Sequence, residues 1–78
     1  MHRVLGESLA EQGKYRTAID EFEVAVQLQP RQLRARFALA DAYVQTGERE
    51  KARETLRQLL DLDPKYPGAD VLLESLEP

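Results

Sequence analysis

Glu7 and Glu11 stand four residues apart, a spacing that puts both carboxylates on one face of a helix, and Asp41 can come near that face from across a groove. Such a trio could serve general acid–base catalysis, hold a hard cation, or receive a basic segment of a partner. Catalysis needs a buried carboxyl with a raised pKa in a pocket. Calcium takes about six or more oxygens, normally from a loop that contains glycine. Neither setting surrounds these residues, so a solvated acidic face is the leading reading and peptide contact the second.

Arg31, Arg34 and Arg36 form the other conspicuous cluster. They lie at the start of a helix, where the dipole disfavours cations by a few tenths of a kcal/mol each, roughly. A locally unfavourable choice points to another use, and the planar guanidinium fork suits bidentate capture of a carboxylate such as a partner's C-terminus. The competing readings are pairing with acids of neighbouring helices, and simple solvation. Asp61 and Asp63, two apart, point to different faces of a helix and read as helix-end and turn residues. Ser8, Ser75 and the threonines have no histidine partner except His2, and Gly6 and Gly13 follow no strand, so they make no phosphate loop. With no cysteine and one histidine, disulfides, thiolate metal sites and nearly all histidine sites drop out. No catalytic, metal-binding or cofactor-binding residue is assigned, and an enzyme is not expected.

The elements that would position these side chains must fit one small domain, residues 1–78, of which 42% are hydrophobic. At this length only about 60% of the unfolded surface is buried on folding, which implies modest stability. A net charge of −3 argues against a nucleic-acid partner, for which a basic stripe is expected. No apolar run approaches the ~18 residues of a membrane span and no apolar signal core opens the chain, so no membrane partner and a cytoplasmic location are expected.

An internal repeat organises the chain. Leu5 and Leu39, Gly13 and Gly47, Ala18 and Ala52, Phe22 and Leu56, Leu28 and Leu62, and Pro30 and Pro64 all recur at an offset of 34 residues. Within each unit the apolar positions follow helical rows: Leu5, Leu9, Ile19, Phe22 and Val26 in the first; Leu39, Tyr43, Ala52, Leu56, Leu59 and Leu60 in the second. Gly13 and Gly47 fall between rows, where a left-handed helix cap is wanted. Gln29-Pro30 and Asp63-Pro64 stop each unit. The pattern predicts helices near 2–12, 15–28, 31–45, 49–62 and 68–76 and no strands, with consecutive helices antiparallel. The mixed charges along 49–62 read as a solubility face only.

These residues resemble the tetratricopeptide repeat, whose pattern is W-x2-L-G-x2-Y, A-x3-F and P over about 34 residues. The first unit supplies His2-x2-Leu5-Gly6-x2-Leu9, Ala18-x3-Phe22 and Pro30; the second supplies Arg36-x2-Leu39-Ala40-x2-Tyr43, Ala52-x3-Leu56 and Pro64. His2 and Arg36 replace the tryptophan, a departure expected to weaken an inter-helix contact, and Leu59 stands where Ala25 stands one repeat earlier. The resemblance implies an all-α fold: one repeat over about 1–32, a second over about 33–66 and a capping helix over about 67–76, in a short right-handed solenoid. It further implies a protein–protein interaction scaffold that binds a partner peptide or helix in a concave groove. By position, that groove takes Arg3, Glu7, Ala10 and Glu11 from the first repeat, Arg34, Phe37, Ala38, Asp41, Val44 and Gln45 from the second, and Val71 and Ser75 from the cap. Phe37 lies off the Leu39–Tyr43 row, so it is expected either as an exposed anchor or packed under the cap against Val71 or Leu72. Chaperone-tail binding is not expected, because the lysine and asparagine positions used for it hold Arg3, Glu7 and Ala38. Two repeats are fewer than the three or so an array usually needs. The segment is therefore expected either to extend a longer array or to self-associate as a homodimer through its open repeat edge.

Overall fold

The computed structural model describes residues 1–77 and forms five helices: α1 His2–Glu11, α2 Tyr15–Leu28, α3 Leu33–Gln45, α4 Arg49–Leu62 and α5 Ala69–Leu76, with no strand among the described residues. Each helix packs on the next in chain order, and α1 also touches α3. The α1–α2 and α3–α4 hairpins thus stack side by side, with α5 lying on α4. Two starts differ from the pattern. Gln32 donates its backbone N–H to the Gln29 carbonyl, so a tight turn at Pro30 delays α3 to Leu33; Gly68 is left-handed, at φ 84°, and serves as the cap from which α5 starts.

Glycine closes both hairpins in the same way. At Gly13 and Gly47 φ is 78° and 81°, and the next residues, Lys14 and Glu48, donate N–H groups back to the Leu9 and Tyr43 carbonyls. Carbonyls left open at the end of α1 and α3 are thereby satisfied, at a backbone angle that costs an L-residue about 1–2 kcal/mol.

The core runs between the hairpins. Ala18, Ala35, Ala40, Ala52 and Ala69 have no exposed surface, which lets the helix backbones approach closely. Phe22, Leu56 and Leu59 are the large side chains fully enclosed among them. Burial of each stabilises the fold by about 1.5–3 kcal/mol. Leu5 departs from the expected core row: it is 49% exposed, while Leu39, its equivalent in the second unit, is 7% exposed. The difference is positional, because α2 stacks on α3 while, among the described residues, no helix stacks on the matching side of α1.

The motif's tryptophan position is filled by polar bridges rather than by a ring. His2 Nδ1 lies 2.6 Å from Glu21 Oε1, tying the start of α1 to α2. Arg36 donates to Gln58 Oε1 at 2.9 Å and to the Pro30 carbonyl at 3.1 Å, tying α3 to α4.

The charges of α4 do more than solubilise it, contrary to the sequence reading. Arg49 and Arg53 both donate to the Leu76 carbonyl, at 3.2 and 3.0 Å, and Arg57 pairs with Glu77 at 2.9 Å. Cations thus sit at the negative end of the α5 dipole, where they also satisfy a carbonyl left open by the helix end. Replacing Arg49 and Arg53 together by glutamine is expected to speed backbone hydrogen exchange across 69–76 several-fold while 15–28 is unchanged; equal exchange in both segments would show that the tether is not what holds α5.

Candidate functional site

α3 touches α1, and a depression of about 320 Å³ lies between them. Its rim carries Glu7, Glu11, Arg34 and Asp41; Ala10, Ala38, Ala42 and Phe22 line the rest. The helical spacing explains the grouping. Glu7, Ala10 and Glu11 follow one i, i+3, i+4 row on α1, and Arg34, Ala38 and Asp41 follow one on α3. Small side chains at Ala10, Ala38 and Ala42 leave the space open.

The charges here are unevenly satisfied. Arg3 Nη1 contacts both oxygens of Glu7 at 3.1 Å, and Arg34 Nε lies 3.5 Å from Glu7 Oε2. Glu11 and Asp41 are exposed, and among the described residues no cation lies within 4.0 Å of either.

Of the groove residues named from the sequence, the structure brings together Glu7, Ala10, Glu11, Arg34, Ala38 and Asp41, with Arg3 adjoining through its bond to Glu7. Val44 is half-buried, Gln45 is exposed, and Val71 and Ser75 are exposed on α5 outside this depression. Phe37 is not an isolated exposed anchor. It is half-buried, with its ring 5.4 Å from that of Tyr66 at 33°, and Gly68 lies beneath its edge. The aromatic pair forms where the chain turns into α5, and contributes about 0.5–1.5 kcal/mol beyond burial.

The arginine cluster disperses. Arg34 turns to Glu7, Arg36 to Gln58 and the Pro30 carbonyl, and Arg31 lies by Leu33 and Leu62. At 100° per residue, roughly, positions 34 and 36 face opposite sides of α3. The three guanidinium groups do not converge on one carboxylate.

Sequence reasoning missed the floor residues Phe22 and Ala42, and it missed a polar network between α2 and α3 that shares no residue with this depression. There Tyr43 Oη donates to Glu23 Oε2 at 2.7 Å, beside Arg16, Asp20, Glu48 and Lys51. The signal was available: a tyrosine on a core row must bring its hydroxyl to a partner. Burial, the bond to Glu23, and the negative charges of Glu23, Glu48 and Asp20 hold the Tyr43 phenol well above the ordinary tyrosine pKa. Thr46 donates to Glu48 Oε2 at 2.8 Å and, with Lys51 nearby, holds the Glu48 carboxyl below its ordinary value.

The Tyr43 shift has a definite sign. Its stabilising effect is complete below the ordinary tyrosine value of about 10 and is lost as the pH rises from there toward the folded-state value. The wild type is therefore expected to lose melting temperature more steeply above about pH 10 than Tyr43→Phe, measured by circular dichroism; parallel alkaline limbs would contradict the assignment.

Among the described residues, no three His, Cys, Asp or Glu side chains are grouped to hold a metal ion, and no helix is long and apolar enough to cross a membrane. A search of curated proteins finds no significant match to the chain. A family model described as tetratricopeptide repeat matches residues 9–75. Such repeats generally mediate protein–protein interaction and are typically non-enzymatic. With the family match covering most of its length and two stacked hairpins in register with the repeat, the chain belongs to the tetratricopeptide repeat family.

Proposed function

We propose that this chain is a non-enzymatic interaction scaffold that holds an extended peptide or a helix of a cytoplasmic partner protein in the groove across α1 and α3. The observation that carries this reading is the depression between those helices, with an alanine-rich floor and charged residues on its rim. Apolar floor surface supplies binding energy when a partner covers it, and the rim supplies orientation. Gln45, Val71 and Ser75, exposed further along α3 and on α5, are where a longer partner segment would continue.

Ala38→Arg tests the reading, because it places a long side chain in the depression from a half-buried position on α3. On an array of randomised peptides, the variant should lose about tenfold or more in affinity, equivalent to about 1.4 kcal/mol, with its melt unchanged. Binding equal to the wild type would remove the groove from the account.

A second reading has its own observation. Met1, Val4, Leu5 and Leu28 of the first hairpin are 100%, 57%, 49% and 67% exposed, and among the described residues no helix but α3 packs extensively against that hairpin, leaving its other edge uncovered. That edge is a stacking surface for another helical hairpin, including one from a second copy. Light scattering over a hundredfold concentration range, roughly, separates the readings. A dimer that dissociates on dilution supports the edge, and a monomer throughout removes self-association.

A further inference from the structure

We propose that the depression between α1 and α3 takes the side chain of a lysine or arginine carried by an extended partner segment. Its aliphatic stem lies against Ala10 and Ala38, and its cationic head meets the carboxylates of Glu11 and Asp41. The inference rests on the groove reading above and adds the partner's chemistry to it.

Three features carry it. Both cations at the groove are already engaged: Arg3 and Arg34 lie 3.1 and 3.5 Å from the same acid, Glu7. Glu11 and Asp41, which line the same depression, have no cation within 4.0 Å among the described residues. The accessible part of the floor is apolar, supplied by the half-buried Ala10 and Ala38, with Ala42 and the enclosed Phe22 behind them. An apolar floor with free carboxylates at the rim matches the two-part character of lysine and arginine, whose stems bury while their heads stay charged.

Other side chains fit less well. An aliphatic residue would cover the floor but desolvate two carboxylates without replacing their lost hydrogen bonds. An acidic residue would meet Glu11 and Asp41 with like charge and would have to draw Arg34 away from Glu7. The acid also recurs with the repeat. Asp41 stands 34 residues after Glu7, so successive repeats present a carboxylate at the same place, one neutralised within the fold and the other free.

The test uses the full chain and arrays of randomised peptides of roughly ten residues, in three pools with net charges near +3, 0 and −3 and matched apolar content. Wild type should retain the basic pool about tenfold or more over the acidic pool, and added salt should weaken the retention. Glu11→Gln with Asp41→Asn, nearly isosteric at exposed positions, should reduce the preference to within about twofold while the melt holds. Ala38→Arg should abolish retention of every pool. A neutral or acidic preference that Ala38→Arg still blocks would overturn the basic side chain and leave the groove reading standing. A basic preference unaffected by the paired neutralisation would overturn the role of Glu11 and Asp41. No retained pool, or retention that ignores Ala38→Arg, would overturn the inference and the groove reading together.

Discussion

Leu59→Ala is expected to cost about 2–5 kcal/mol, the range for emptying a fully enclosed leucine site. The corresponding residue one repeat earlier is Ala25, itself 6% exposed, so a comparison of repeats alone would rate the change as harmless. The structure indicates otherwise. Leu59 has no exposed surface and shares its cluster with Leu56, Ala69 and Leu76, while Leu72 and Leu73 pack against that cluster from α5. In the first hairpin the helix stacked on α2 is the thirteen-residue α3; on α4 it is the eight-residue α5, and Leu59 is fully enclosed there. Collapse of α5 into the vacated space is opposed by the bonds from Arg49 and Arg53 to the Leu76 carbonyl. At a typical stability of about 0.05–0.15 kcal/mol per residue, such a loss leaves little for a domain of this length. Urea unfolding followed by circular dichroism measures it, and a loss below about 1 kcal/mol would show that the site relaxes freely.

Gly6→Ala is the second large effect, and its sign runs against helix propensity. At an unhindered helix position alanine is favoured over glycine by about 1 kcal/mol. Here an added Cβ would stand 2.6 Å from Phe22 Cε1 and 2.8 Å from Cδ1, in a ring only 1% exposed. A buried ring has no free direction in which to yield, so the net result is a loss of about 1–3 kcal/mol, or roughly 4–24 °C in Tm. The second repeat resolves the same contact differently: Ala40 and Leu56 occupy the matching positions, both without exposed surface. Volume is thus exchanged across the helix pair, glycine with phenylalanine in one repeat and alanine with leucine in the other. Phe22→Leu on its own should destabilise by leaving space beside Gly6. Combined with Gly6→Ala it should recover much of the loss, giving a coupling of about 1 kcal/mol or more in a double-mutant cycle. Additive losses would refute the exchange.

Much of the fold was legible because punctuation and periodicity coincided. Gly13 and Gly47 fall where only a left-handed residue closes the turn, and Pro30 and Pro64 end the units, so five helices could be placed to within about two residues. Burial was less legible, since it depends on neighbours rather than on type. Leu5 and Leu39 share a motif position, but only Leu39 is covered, because α2 supplies a neighbour that α1 lacks on that side. At the candidate site, spacing paired only Glu7 with Glu11, and the resemblance to the repeat family supplied the other groove positions; of these, Glu7, Ala10, Glu11, Arg34, Ala38 and Asp41 line one depression. Long side chains were the obstacle elsewhere. Arg34 and Arg36 are neighbours in sequence but lie on opposite sides of α3, and Arg49 and Arg53 reach a helix end that no spacing rule within α4 reveals. Phe37 turned on Tyr66, a residue in the connection before α5 whose position the periodicity left open.

The most direct test of the account follows backbone amide resonances of the full chain during titration with the best-retained peptide from the basic array pool. The shifts should concentrate in two stretches, 7–11 on α1 and 34–45 on α3, while Val4, Leu5 and Leu28 stay near their free positions. Shifts concentrated instead on those three exposed apolar residues, with the two groove stretches unmoved, would contradict this and make the uncovered edge of the first hairpin the working surface.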